Sequence, residues 1–242
     1  MTLTVHQFPC LSDNYGFLIR DEGTGRVATI DTPDADRILG ELEALGWGRL
    51  DMILNTHWHP DHAGGNAALK AATGCEIVGP EEVTRIAPLD RTVGDGAMVM
   101  LGETALTVSA VPGHTLGHIV YRSEADGLAF VGDAIFALGC GRLFEGTAEQ
   151  MWASLGLIAG WPDETVLYCA HEYTASNARF ALSVDQRPEM RAEADRIFAL
   201  RERGEPTVPT TVGAEKAFNP FLTAGDVETF AARRAAKDDF RG

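Results

Sequence analysis

Apolar positions in the first half of the chain fall in short runs separated by turns. Residues 3–8, 15–19 and 27–30 read as strands, and Ile38, Leu39, Leu42 and Leu45 then recur at helical spacing on one face. Met52-Ile53-Leu54 is a further apolar run. Residues 64–72 read as helix, 76–78 as a strand, and 97–111 as paired strands turning at Gly102. Thr147, with Gln150 three residues on, predicts a capping box at the start of a helix that turns Met151, Trp152, Leu155 and Ile158 inward. From about residue 173 the pattern becomes helical. Met190, Ala194, Ile197 and Phe198 form a stripe, Gly204 and Pro206 end it, and residues 209–220 read as loop. A last helix over 226–240 presents Val227, Phe230 and Ala231 to a core, with Arg234, Lys237 and Arg241 on another face. Strands in runs with helices between them predict an α/β fold of two sheets flanked by helices.

Where the apolar runs end, the sequence changes character. Directly after Met52-Ile53-Leu54 comes Thr56-His57-Trp58-His59-Pro60-Asp61-His62, three imidazoles and a carboxylate within six residues. His57 and His59 are two apart, so in an extended chain their side chains converge on one ion. Asp61 and His62 are adjacent and diverge, which suits a second ion beside the first. Three more runs end on residues of the same type: 108–111 leads to His114, 128–131 to Asp133, and 166–169 to His171. Of seven histidines, five belong to this set. His118 starts the apolar stretch Ile119-Val120-Tyr121 and reads as a residue supporting a ligand rather than being one, and His6 has no metal-type neighbour in sequence.

Composition narrows the function classes. A chain of 242 residues, 45% hydrophobic and 23% charged, supports one sizeable core and a small second unit. Twenty Lys and Arg against 35 Asp and Glu give a net charge of −15, which argues against a nucleic-acid partner. No apolar run is long enough to cross a bilayer and the first residues lack a signal-peptide pattern, so no membrane association and a cytoplasmic location are expected. Cys10, Cys75, Cys140 and Cys169 form no CxxC pair and are expected to be reduced and mostly buried. Cys140, between Gly139 and Gly141, is expected to shape a tight turn presenting Arg142.

With these ligands in place, the chain resembles the metallo-β-lactamase superfamily, marked by HxHxDH followed by a distant His, Asp and His. Within it the resemblance is to glyoxalase II, the hydroxyacylglutathione hydrolases. It rests on Ser12-Asp13-Asn14-Tyr15, residues 57–65, Gly113-His114-Thr115 with Gly117-His118, Gly132-Asp133, residues 139–147 and His171-Glu172-Tyr173-Thr174. Asn219-Pro220-Phe221 and Arg234-Ala235-Ala236-Lys237-Asp238 extend it through the tail, and the tail selects the branch.

The resemblance implies a four-layer αββα sandwich over residues 1–172 and a small helical substrate-binding domain over 173–242. It implies two divalent metal ions, zinc foremost with iron and manganese as alternatives. One ion takes His57, His59 and His114; the other takes Asp61, His62 and His171; Asp133 bridges them. It further implies that Arg142, Tyr173, Arg234 and Lys237 hold the glutathione part of the substrate. A member of that family carries a tyrosine where this chain has Phe144, which removes a hydroxyl but leaves an apolar contact. The implied reaction is hydrolysis of S-(2-hydroxyacyl)glutathione thioesters, chiefly S-lactoylglutathione, to D-lactate and glutathione, as in methylglyoxal detoxification. A hydroxide generated at the dinuclear centre is the expected nucleophile, with Asp61 and Asp133 the catalytic carboxylates, in a monomeric enzyme. Two alternatives share the superfamily: a glutathione persulfide dioxygenase with one iron, and a di-iron electron-transfer protein. Against the latter stands His59, where such sites carry a carboxylate.

Overall fold

The computed structural model of the chain describes residues 2–241, which gather into two compact units. The first takes the residues up to Ala110 together with Gly117–Gly132; the second takes Val111–Leu116 and the residues from Asp133 onward.

Two sheets build the first unit. In one, β1 (Leu3–Cys10), β2 (Asn14–Asp21) and β3 (Val27–Ile30) pair antiparallel, and β4 (Met52–Leu54), β5 (Glu76–Gly79) and β6 (Arg91–Thr92) then add in parallel. Parallel pairing needs crossovers. These are α1 (Ala35–Ala44) between β3 and β4, and α2 (Pro60–Ala63) with α3 (Asn66–Thr73) between β4 and β5. Ile38 and Leu42 of α1 and Leu69 of α3 pack with Phe8, Leu18, Ile53 and Ile77 on one face of this sheet. Because strand side chains alternate, Phe17 points to the opposite face, where its ring lies 5.8 Å from that of Phe130. Phe130 belongs to the second sheet, in which β7 (Met98–Leu101), β8 (Thr104–Ala110), β9 (Ile119–Ser123) and β10 (Leu128–Gly132) pair antiparallel in turn. Gly102 makes the β7–β8 turn with φ +61°, a conformation that favours glycine. Covered on both faces, β4 reads as an unbroken apolar run. Its carboxyl end, where α/β sheets place their ligand-bearing loops, leads straight into His57.

In the second unit, β11 (Ile135–Phe136) and β12 (Gly139–Cys140) form a hairpin, and β13 (Val166–Cys169) pairs antiparallel with β14 (Thr210–Thr211). The helices are α4 (Ala148–Ala159), α5 (Thr174–Val184), α6 (Pro188–Glu202), α7 (Val212–Phe218) and α8 (Val227–Asp239). The expected capping box opens α4: the Thr147 side chain accepts from Gln150 N, and the Gln150 side chain accepts from Thr147 N. Leu138, Ala178, Ala181, Met190, Ala194 and Ile197 form one core cluster. Phe221 packs between Phe180 and Phe230, with ring centroids 5.9 Å from each.

Two expectations are corrected here. Residues 209–220 are not loop, since they hold β14 and α7. The seven-residue α7 is too short to display apolar periodicity; Thr211 caps it by accepting from Ala214 N at 3.2 Å, and one of its buried side chains is the carboxylate of Glu215. The basic residues of α8 also do not share a separate face. Arg234 follows Phe230 by four positions, continues the apolar stripe and is only 5% exposed. A guanidinium tolerates that place because it is hydrogen-bonded and lies 4.9 Å over the Phe221 ring.

All four cysteines are free and buried, as expected. No helix among the described residues is long and apolar enough to cross a membrane.

Candidate metal centre

In the first unit, the chain leaving β4 and the short helix α2 bring four expected ligands together. His57 Nε2 lies 3.0 Å from His59 Nδ1, the His57 and His62 ring centroids are 4.0 Å apart, and His62 Nε2 is 3.4 Å from Asp61 Oδ2. The Asp61 and His62 side chains come together because Pro60 starts a helical turn beneath them, rather than diverging as neighbours in an extended chain do. Asn14 Nδ2 donates to Asp61 Oδ2 at 3.0 Å and fixes that carboxylate.

Behind this cluster stands Asp31, a residue that sequence reasoning missed. Its Oδ1 accepts from Thr56 N at 2.7 Å; its Oδ2 lies 2.8 Å from both Thr56 Oγ1 and His62 Nδ1. The hydroxyl of Thr56, spending its proton on Asp31, accepts from His57 Nδ1 at 3.1 Å. Both imidazoles are therefore held in the tautomer that leaves a lone pair on Nε2, the form that binds a metal. Asp31 follows the run 27–30, the same end-of-strand position as the other site residues, but no imidazole stands beside it to draw attention. His118 is fully buried and stacks on His57 with centroids 4.7 Å apart, in keeping with a supporting role, and His6 bonds Glu41 at 2.8 Å.

The second unit brings together the other three. Asp133 Oδ2 lies 3.3 Å from His114 Nε2 and Asp133 Oδ1 lies 3.4 Å from His171 Nε2, all three side chains being buried. His114 Nδ1 donates to the Arg142 carbonyl at 2.9 Å, so its Nε2 again carries the lone pair. The donor sets are imidazole and carboxylate, oriented from behind by a carboxylate, a hydroxyl or a carbonyl. That is the chemistry of a transition-metal or zinc site, and the residues of each unit fit such an ion.

His114 and Asp133 also line a cavity of about 450 Å³, with Arg142, Tyr173, Arg234 and Lys237 among its other walls. Phe144, 61% exposed, closes edge-on upon the His114 ring at 5.2 Å. Asp238 Oδ1 lies 2.9 Å from Arg234 Nη2 and 3.4 Å from Arg142 Nε, tying the two guanidinium groups together. Lys237 Nζ donates to Ser176 Oγ at 2.8 Å. Its pKa is pushed down to about 8 by burial and by the positive charges of Arg234, Arg142 and Arg179. A chain of net charge −15 thus concentrates positive charge beside metal-type ligands. The expected turn differs in detail: the left-handed residue is Leu138 at φ +57°, not a glycine. Gly139 and Gly141 are needed for space, since a side chain at either would collide with Asn177 or with the Asp133 carbonyl.

Comparison with known proteins gives the class first. Residues 16–171 match the family model of the Metallo-beta-lactamase superfamily, and residues 172–240 match that of the Hydroxyacylglutathione hydrolase C-terminus. Among solved structures, ETHE1 from Myxococcus xanthus superposes with a TM-score of 0.76 at 27% identity, covering 98% of this chain and 92% of its own. The hydroxyacylglutathione hydrolase of Erythrobacter litoralis is 52% identical over 98% of this chain and 100% of the relative. That of Maricaulis maris is 52% identical over 98% and 99%. The chain belongs to the hydroxyacylglutathione hydrolase family of the metallo-β-lactamase superfamily.

Proposed function

We propose that this chain hydrolyses S-(2-hydroxyacyl)glutathione thioesters, S-lactoylglutathione foremost, to the 2-hydroxy acid and glutathione. The observation that carries this reading is the cavity of the second unit, which Arg142, Arg234 and Lys237 line together with His114 and Asp133. Glutathione brings two carboxylates, which fit the cations, and its thioester would then meet the metal ligands.

Two divalent ions would complete the proposal: His57, His59 and His114 would hold one, Asp61, His62 and His171 the other, and Asp133 would serve both. When bound, such ions acidify water from a pKa of 15.7 toward about 7 and polarise a carbonyl oxygen. Asp61, held by Asn14, would orient the attacking hydroxide. Asp133, reached by both His114 and His171, fixes the spacing of the donor set. No acid is needed on the leaving side, because a thiol of pKa about 8.5 departs as thiolate. Phe144 gives the substrate an apolar wall and Tyr173 a rim, while Arg142, Arg234 and Lys237 bind its charge. Residues 1–172 act as the catalytic region and 173–242 as the substrate-binding region, a division supported by the two family models meeting at 171 and 172. Zinc as the metal, a monomeric state and a cytoplasmic location complete the reading.

The test pairs elemental analysis of protein purified without added metal with an anaerobic assay on S-lactoylglutathione. Two metal equivalents, with lactate and glutathione formed in equal amounts, are expected. One iron per chain with oxygen consumed on glutathione persulfide would overturn the proposal.

A further inference from the structure

The Asn219-Pro220-Phe221 motif has no part in the reaction described above, yet its asparagine is fully buried against the hairpin that forms one side of the substrate cavity. Asn219 Nδ2 donates to the Gly139 carbonyl at 2.9 Å and reaches the Phe136 carbonyl at 3.3 Å. It also donates to Glu215 Oε2 at 2.8 Å, while its own Oδ1 accepts from Phe221 N at 2.9 Å. The same Glu215 oxygen accepts from Leu138 N at 2.8 Å, and Oε1 accepts from the Thr210 hydroxyl at 2.6 Å. From α5, Asn177 donates to the Ala137 carbonyl at 3.1 Å.

The backbone of the β11–β12 turn is thus held by three buried side chains at four points, Phe136 O, Ala137 O, Leu138 N and Gly139 O. That restraint answers a strain, because Leu138 sits at φ +57° without being glycine. The chain leaves this turn directly into the substrate-facing strand. There the Cys140 carbonyl accepts from Arg234 Nη1 at 2.8 Å, Gly141 lines the cavity, and the Arg142 carbonyl orients the His114 ring. A turn that relaxed would move Cys140, and with it the guanidinium anchored there.

We infer that Glu215 and Asn219 are positioning residues for the substrate cavity: from behind the hairpin they fix the Phe136–Gly139 turn, and so set where Arg142 and Arg234 stand. The inference deepens the proposed thioesterase reading and rests on it for its kinetic prediction. Glu215 is held by donors on every side that the turn, β14 and α7 present, and its environment includes Glu193 and Arg196 of α6 along a second cavity. Glutamine can replace it with little change. Its oxygen would keep the bonds from Leu138 and Asn219, and its amide would donate to a rotated Thr210 hydroxyl.

The experiment compares Glu215→Ala, Glu215→Gln and Asn219→Ala with the wild-type metal-loaded enzyme. KM and kcat are measured on S-lactoylglutathione and on a short thioester with no glutathione part, and backbone amide exchange is followed over residues 136–142. Both alanine variants should raise KM for the glutathione substrate about tenfold or more, lower kcat/KM on the short thioester by a clearly smaller factor, and speed exchange at Leu138 through Arg142. Glu215→Gln should restore all three. If an alanine variant fails to fold, Thr210→Val, which removes one donor to Glu215, should show smaller changes in the same direction. Equal losses on both substrates, or unchanged exchange in the hairpin, would overturn the inference. A wild-type enzyme inactive on both thioesters would instead overturn the thioesterase reading, and the exchange measurement would still decide whether the turn is held as stated.

Discussion

Tyr173 lies flat on His171, with ring centroids 4.7 Å apart and planes 3° from parallel. Phe136 closes edge-on upon both rings, at 5.3 Å from Tyr173 and 5.8 Å from His171. The sandwich fixes the imidazole's rotation, which keeps His171 Nε2 aimed at Asp133. An aromatic pair of this kind contributes about 0.5–1.5 kcal/mol. With His171 as a metal ligand, as proposed, Tyr173→Ala should weaken metal binding by about two- to tenfold, read by competition with a chromophoric chelator. Tyr173→Phe keeps the stack and should leave metal affinity at the wild-type value. Full affinity in the alanine variant would mean that the stack does not orient the ligand.

Asp31 holds His62 directly and His57 through the Thr56 hydroxyl, so one carboxylate sets two tautomers. Its φ of +56° is one that asparagine also accepts, which makes Asp31→Asn a substitution of chemistry rather than of backbone. The amide nitrogen cannot accept a hydrogen bond, so one orientation of the amide leaves Thr56 N without its acceptor and the other leaves both the Thr56 hydroxyl and His62 Nδ1 without theirs. Metal affinity should fall by about 10- to 100-fold, the usual effect of losing such a partner. Binding as tight as wild type in a chelator titration would show that the tautomers are set elsewhere.

How legible each part was from sequence depends on whether its cause is local. The run Met52-Ile53-Leu54 and the His57 to His62 cluster that follows it mark an apolar segment and a candidate metal site, because the chemistry is contiguous. Thr147 and Gln150 declare a helix start because the box closes within four residues. Residues 209–220 gave no such sign: α7 is short, and it is held by tertiary bonds from Glu215 and Asn219 to a hairpin some 80 positions earlier. Arg234 misled for a related reason. Charge at helical spacing near a terminus reads as a separate polar face, and only the fold supplies the Cys140 carbonyl and Phe221 ring that let a guanidinium enter the core stripe. Asp31 is a single acidic residue whose partners lie 25 and 31 positions away.

Lys237 gives the cavity a pH dependence. Burial and three neighbouring arginines bring its pKa to about 8, so the ammonium is charged below that pH and neutral above it. On the proposed reading, an anionic substrate is bound by the charged form. KM for S-lactoylglutathione should therefore rise several-fold as pH is taken from 7 to 9. Over the same range a thioester without carboxylates should show no corresponding rise, and Lys237→Arg should flatten the profile because a guanidinium stays charged. A KM that is constant through pH 8 on the glutathione substrate would remove Lys237 from the binding site.

Glu215 makes the opposite kind of contribution, to stability rather than binding. Burial raises its pKa from 4.5 to about 7, against the bonds from Thr210, Asn219 and Leu138 N that pull it down, and the nearby negative charge of Glu193 adds to the rise. A carboxyl whose folded pKa exceeds its unfolded one favours the folded state most when protonated. Its contribution is fully present below about pH 4.5 and is lost as pH climbs through about 7, because the folded chain then holds a buried charge that the unfolded chain would solvate. Glutamine carries no charge at any pH. Relative to wild type, Glu215→Gln should thus gain stability between pH 5 and pH 8, by on the order of 3 kcal/mol at most, since each tenfold change in proton affinity between the folded and unfolded chains is about 1.4 kcal/mol. Urea unfolding of both proteins at the two pH values checks this, since comparison at equal pH cancels the other titrating groups. If the difference between variant and wild type is the same at pH 5 and pH 8, Glu215 does not titrate in this window, and its donors hold it ionised throughout.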